Sequence, residues 1–210
     1  MRLSKMRWGC MTMSNKFEEG NLRFDFSNDY SLVERFDDAK KSSYGMKAVD
    51  FIAETKDRLY FIEVKDFQHP NAPPERRNKD YIMLTDEESK EHAVFNLEMG
   101  EKIKDSLLRK YAEGYAFKNE VKYLLFIHLD QLTSDDHLTL FDILFKKISG
   151  HIPTGLNDDL RFPAFTKISF DLVNTDRLKE EYDIVVETIL EAAMQEADCR
   201  YGDTFRRLSQ

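Results

Sequence analysis

Lys47–Phe67, KAVDFIAETKDRLYFIEVKDF, is the stretch that decides the fold. Two short runs, Ala48–Glu54 and Arg58–Lys65, flank the polar tip Thr55-Lys56-Asp57. Both runs are rich in β-branched and aromatic residues, which with the polar tip is the local pattern of a β-hairpin. With Lys56-Asp57 as the loop, Asp50 falls opposite Glu63 and Ile52 opposite Phe61. Side chains alternate faces along a strand. Asp50, Ile52, Phe61, Glu63 and Lys65 therefore share one face, and Val49, Phe51, Ile62 and Val64 the other. Both faces are largely apolar, as in strands of a sheet covered on both sides.

Against that background the charged trio Asp50, Glu63 and Lys65 is anomalous. Burying charge among Ile and Phe costs several kcal/mol unless it is paired or binds a metal. Carboxylates about 5 Å apart across a strand pair also repel each other. A divalent cation such as Mg²⁺ resolves that repulsion. A lysine two residues beyond the second carboxylate is then placed to hold water or to stabilise charge developing on phosphate.

An Asp ending one strand, a turn, then Glu-x-Lys inside the next resembles the PD-(D/E)XK phosphodiesterase superfamily of restriction-endonuclease-like nucleases. Asp50 matches the first carboxylate, Glu63 the second and Lys65 the lysine, and Val49 stands where the name-giving proline would be. Other acid-x-Lys triplets occur, at Asp38, Glu54, Glu88 and Glu120. Glu63-Val64-Lys65 differs from them in lying inside LYFIEVKDF with an aspartate in phase on the preceding strand. The competing reading is a hairpin whose Glu63–Lys65 pair faces solvent near a sheet edge.

The resemblance implies a restriction-endonuclease-like α/β fold, a mixed central β-sheet flanked by helices. It implies Mg²⁺ or Mn²⁺ held by Asp50, Glu63 and the backbone carbonyl of Val64, with Lys65 positioning the attacking water. The expected activity is metal-dependent hydrolysis of DNA or RNA. The other class of reading is a catalytically inactive scaffold or binding subunit with the same fold, in a nucleic-acid-processing or defence complex. A further carboxylate, Glu18 or Glu19 from a preceding helical turn or Glu34 from a strand, is a candidate extra ligand, and Glu19 and Glu34 are not separable by sequence.

The chain has 210 residues, 41% of them hydrophobic, with sixteen Phe, enough for the core of one domain. The expected division is a flexible arm over 1–12, one α/β domain over 13–199 and a basic tail over 200–210. No apolar run approaches the roughly 20 residues of a bilayer span, and the N-terminus lacks the apolar segment of a signal peptide. Cys10 and Cys199 have no metal-ligand spacing and fit a reducing cytoplasm. A net charge of −8 argues against a protein that wraps bare nucleic acid, since Lys and Arg supply most such binding, and favours a partner that delivers it.

Along the chain, Ser14–Glu19 reads as a capped helical turn stopped by Gly20. Leu22–Phe26 and Tyr30–Phe36 read as strands. The Pro-rich segment 66–80 reads as a loop whose Arg76, Arg77 and Lys79 are placed to contact phosphates. A helix is expected over 86–116, with Val94, Leu97, Ile103, Leu107, Leu108 and Tyr111 inward, Lys102, Arg109 and Lys110 outward, and Gly100 at a kink or close approach. Val121–Leu129 reads as a buried strand with His128 at the core edge. Ser134–Ser149 reads as a helix, Phe165–Leu172 as a strand, and Tyr182–Ala197 as a helix.

Overall fold

The computed structural model describes residues 15–37, 45–73, 90–117, 120–129, 134–158, 161 and 166–195. The expected arm over 1–12 and tail over 200–210 lie outside these. The strands are β1 (Lys16–Glu19), β2 (Leu22–Phe26), β3 (Leu32–Arg35), β4 (Phe51–Glu54), β5 (Arg58–Asp66), β6 (Glu120–His128), β7 (Ile168–Val173) and β8 (Ile184–Thr188). The helices are α1 (Lys90–Ala112), α2 (Ser134–Ser149) and α3 (Thr175–Tyr182), and residues 189–195 are helical again. The chain is α/β.

Five strands form a mixed sheet in the order β3-β4-β5-β6-β7. The β3–β4 and β4–β5 pairs are antiparallel, and β5–β6 and β6–β7 parallel. The hairpin has the register expected from its loop: Ile52 pairs with Phe61 and Phe51 with Ile62, and the Thr55 amide donates to the Arg58 carbonyl at 2.9 Å. The alternation therefore splits β5 as its sequence says. Phe61 enters a core with Met99, Ile103 and Leu107 of α1 and Leu140, Leu144 and Ile148 of α2. Ile62 and Val64 enter the opposite core with Leu22, Phe24 and Phe26. Val49, expected beside Phe51, instead joins the helix-side core, because it precedes the first paired residue of β4 and escapes the strand's alternation.

The second core is closed by a small antiparallel sheet, β1-β2-β8, together with α3. Two expectations fail here. Lys16–Glu19 is a strand and not a helical turn, since Gly20 (φ +58°) and Asn21 form a two-residue hairpin turn that pairs Glu19 with Leu22. Tyr182–Ala197 is not one helix. Asp183 takes the left-handed conformation (φ 57°, ψ 35°) that ends α3, and Ile184–Thr188 then pairs with β2, burying Ile184 and Val186.

Helix α1 also sits differently about its axis. Asn96, Met99, Ile103, Ser106, Leu107 and Lys110 are buried, whereas Leu97, Leu108 and Tyr111 are exposed. Lys102, Arg109 and Lys110 turn inward: Lys102 meets buried carboxylates, and Arg109 and Lys110 lie over the Phe36 ring at 3.8 and 4.9 Å. Gly100 is a close approach, since a Cβ there would fall 2.5 Å from the His151 Cβ. No helix among the described residues is long and apolar enough to cross a membrane.

A buried carboxylate cluster at the end of the hairpin

Backbone geometry brings Asp50 to Glu63. One step beyond the last ladder pair, Phe51 with Ile62, the register sets Asp50 across from Glu63. Three hydrogen bonds hold the approach. The Val49 amide donates to Ser106 Oγ of α1 at 3.0 Å, the Phe36 amide donates to the Asp50 carbonyl at 2.9 Å, and the Val64 amide donates to Asp50 Oδ2 at 2.6 Å. Glu63 and Lys65 lie toward the C-terminal end of β5, beside the parallel strand β6. That edge is where open α/β sheets commonly place ligands.

Burial is nearly complete, with Asp50 6% and Glu63 0% exposed. Two ammonium groups converge on one oxygen of Glu63. Lys102 Nζ lies 2.6 Å and Lys65 Nζ 3.0 Å from Oε1. Lys102 also reaches to 3.7 Å from Asp50 Oδ1, bridging the two acids. Glu63 Oε2 is buried with no hydrogen-bond partner among the described residues.

The electrostatics follow from that arrangement. Burial, and after it the Asp50 charge, pushes Glu63 from its ordinary 4.5 up to about 7, against the pull of Lys65 and Lys102. Burial also raises Asp50, opposed first by Lys102 and then by the Val64 amide. Burial works against the Lys102 charge, yet Glu63 and Asp50 outweigh it and raise that pKa.

A second set of oxygens adjoins Asp50. Glu19, at the end of β1, and Asp37, just beyond β3, each place a carboxylate oxygen so that these and one of Asp50 lie within 4.8 Å of one another. Arg35 pairs with both Glu19 and Asp37. Burial and then Asp50 raise the Glu19 pKa. The set is all carboxylate oxygen, the donor chemistry that hard divalent cations such as Mg²⁺ and Mn²⁺ take. The bare Oε2 of Glu63 is a further buried acceptor in want of a cation or donor. The residues present thus fit such an ion.

The site residues expected from sequence fare unequally. Asp50, Glu63 and Lys65 come together. Of the candidate extra carboxylates, Glu19 joins Asp50, whereas Glu34 is engaged 2.6 Å from Lys110. Glu19 arrives on a strand rather than on the expected helical turn, and Glu18 instead pairs with Arg23. Arg76, Arg77 and Lys79 lie outside the described residues. Asp37 and Lys102 were not anticipated. Lys102 has a signal in hindsight: it lies three residues after Met99 and four before Ser106, both buried, on the flank of the α1 stripe. His128 is a core-edge histidine as expected, its Nδ1 2.8 Å from Asp66 Oδ1 where β5 and β6 end side by side. No protein-family model, curated protein or solved structure matches this chain.

Proposed function

We propose that the chain is a metal-dependent phosphodiesterase, a nuclease of the restriction-endonuclease-like PD-(D/E)XK kind, hydrolysing DNA or RNA. The observation that carries this reading is the pairing of two buried carboxylates, Asp50 and Glu63, at the end of a hairpin with Lys65 on the same strand face. Asp50, Glu63 and the Val64 carbonyl would hold Mg²⁺ or Mn²⁺, with Glu19 and Asp37 as added oxygen donors beside Asp50. When bound, such an ion supplies Lewis-acid polarisation and eases ionisation of water. The Lys65 ammonium, a quarter exposed, positions the attacking water and faces the phosphate charge that grows as the P–O bond breaks. Arg76, Arg77 and Lys79 are proposed phosphate contacts. With a net charge of −8, the nucleic acid is proposed to be met locally or delivered by a protein partner, in the cytoplasm.

One observation favours a second reading, a scaffold of the same fold without catalysis. Lys102 already bridges Asp50 and Glu63 and relieves their repulsion without any metal. Calorimetric titration of Mn²⁺ into the wild type and Asp50→Asn at neutral pH and low salt separates the two. The nuclease reading expects binding that collapses in the variant, and Mn²⁺-dependent cleavage of DNA or RNA that Lys65→Ala abolishes while the fold persists. Binding undiminished in Asp50→Asn, or full cleavage in Lys65→Ala, defeats the assignment. A wild type that neither binds Mn²⁺ nor cuts supports the scaffold.

A further inference from the structure

We propose that Lys102 is an intramolecular competitor for the divalent cation: its ammonium occupies the space between Asp50 and Glu63 and must leave before an ion is held there. The inference rests on the metal-site reading above. Its geometry is lopsided in a way that a purely structural ion pair does not explain. Both Lys65 and Lys102 crowd onto Glu63 Oε1, at 3.0 and 2.6 Å, while the buried Oε2 of the same carboxylate has no partner among the described residues. Two like charges on one oxygen beside an empty acceptor is an arrangement that relaxes when one of them departs.

Lys102 is the one equipped to depart. It comes from α1 and not from the sheet, and its ammonium sits at the end of a flexible four-carbon stem. Glu98, four residues earlier on the same helix and half-buried, already acts on its charge and offers it another partner. Lys65, two residues along β5 on the same strand face as Glu63, remains to pair with that acid. The site therefore exchanges one cation for another, and its metal affinity is set by how strongly α1 holds Lys102 inward. Because the lysine supplies the neutralisation, the metal-free protein keeps its carboxylates together, and the apparent affinity for the ion is lowered by the fraction of molecules in which the lysine is already displaced.

The test is a Mn²⁺ titration of the full chain as wild type, Lys102→Gln, Lys102→Arg and the double variant Asp50→Asn/Lys102→Gln. Gln keeps a donor for Glu63 without charge, and Arg keeps the charge. Lys102→Gln is expected to bind Mn²⁺ at least about tenfold more tightly than wild type, Lys102→Arg about as weakly as wild type, and the double variant not at all. A Lys102→Gln affinity equal to or below that of wild type overturns the proposal. If Lys102→Gln fails to fold without metal, recovery of its cooperative melt by Mn²⁺ supports the competition, and no recovery overturns it. Wild-type binding lost in Asp50→Asn but unchanged in Lys102→Gln sinks this inference alone. No binding in any variant sinks the metal-site reading with it.

Discussion

Glu63 is fully buried, and its carboxyl binds a proton more tightly in the folded chain than in the unfolded one. Below about pH 4.5 both states carry the proton, and above about 7 neither does. Between those limits the unfolded chain has released a proton that the folded chain retains, so stability falls as pH rises through the window. The shift corresponds to on the order of 3 kcal/mol. Asp50 and Glu19, also raised by burial, add slopes of the same sign. Glu63→Gln removes this titration. Chemical denaturation without metal from pH 4.5 to 8 should show a shallower decline in the variant than in wild type. A wild type no less stable at pH 7.5 than at pH 5 would mean that the two lysines fully offset the burial of Glu63. Excess Mn²⁺, which binds the ionised form, should lessen the decline in wild type. At this scale the sequence was informative where a charge interrupts an apolar strand, as Asp50, Glu63 and Lys65 do. It misplaced Lys102, expected outward, because a lysine on a helix flank gives the same apolar spacing whether it faces water or a buried acid.

Helix α1 shows why hydrophobic pattern alone misplaced an element's face. Its buried stripe carries Asn96, Ser106 and Lys110 beside Met99, Ile103 and Leu107, so buried polar groups dilute the apolar period. Leu97, Leu108 and Tyr111, which fill out a plausible apolar face, are exposed. Ser106 also aims the site, because its Oγ accepts the Val49 amide one residue before Asp50. Ser106→Ala leaves that buried amide unpaired at a cost of about 1–3 kcal/mol, offset only slightly by alanine's helix propensity. The variant should lower the midpoint of urea unfolding and weaken Mn²⁺ binding together. A loss of stability with unchanged Mn²⁺ affinity would show that the Phe36 and Val64 amides hold Asp50 in place without Ser106. Gly100 gives the matching steric prediction. Gly→Ala within a helix normally gains about 1 kcal/mol. Here the new methyl would meet the His151 carbonyl oxygen at 2.6 Å, part of a backbone that cannot swing away as a side chain does. Gly100→Ala should therefore destabilise by about 1–3 kcal/mol, and a raised melting temperature would show that the segment after α2 yields instead.

On the scale of the whole molecule, the hairpin within the five-stranded sheet was legible because its pairing is local in sequence. The three-stranded sheet was not, because β8 returns to β2 from about 160 residues away (Ile184 pairs with Phe26) and no short-range pattern encodes that pairing. The omission matters, since the small sheet carries Glu19 to Asp50. An ion held by Asp50, Glu19 and Asp37 joins the two layers, whereas one held by Asp50 and Glu63 alone touches only the main sheet. Hydrogen exchange separates these cases. β1 lies at an edge of its sheet and is half-exposed, so its amides exchange largely through local opening rather than global unfolding. Binding that closes this opening slows exchange there by the linkage term, about 2.7 kcal/mol at a hundredfold excess over the dissociation constant. With saturating Mn²⁺, protection should rise in Lys16–Leu22 as well as in β5, and Glu19→Gln should remove the gain in β1 while leaving much of that in β5. A gain confined to β4 and β5 would place the ion within the main sheet and return Glu19 to the role of a partner for Arg35.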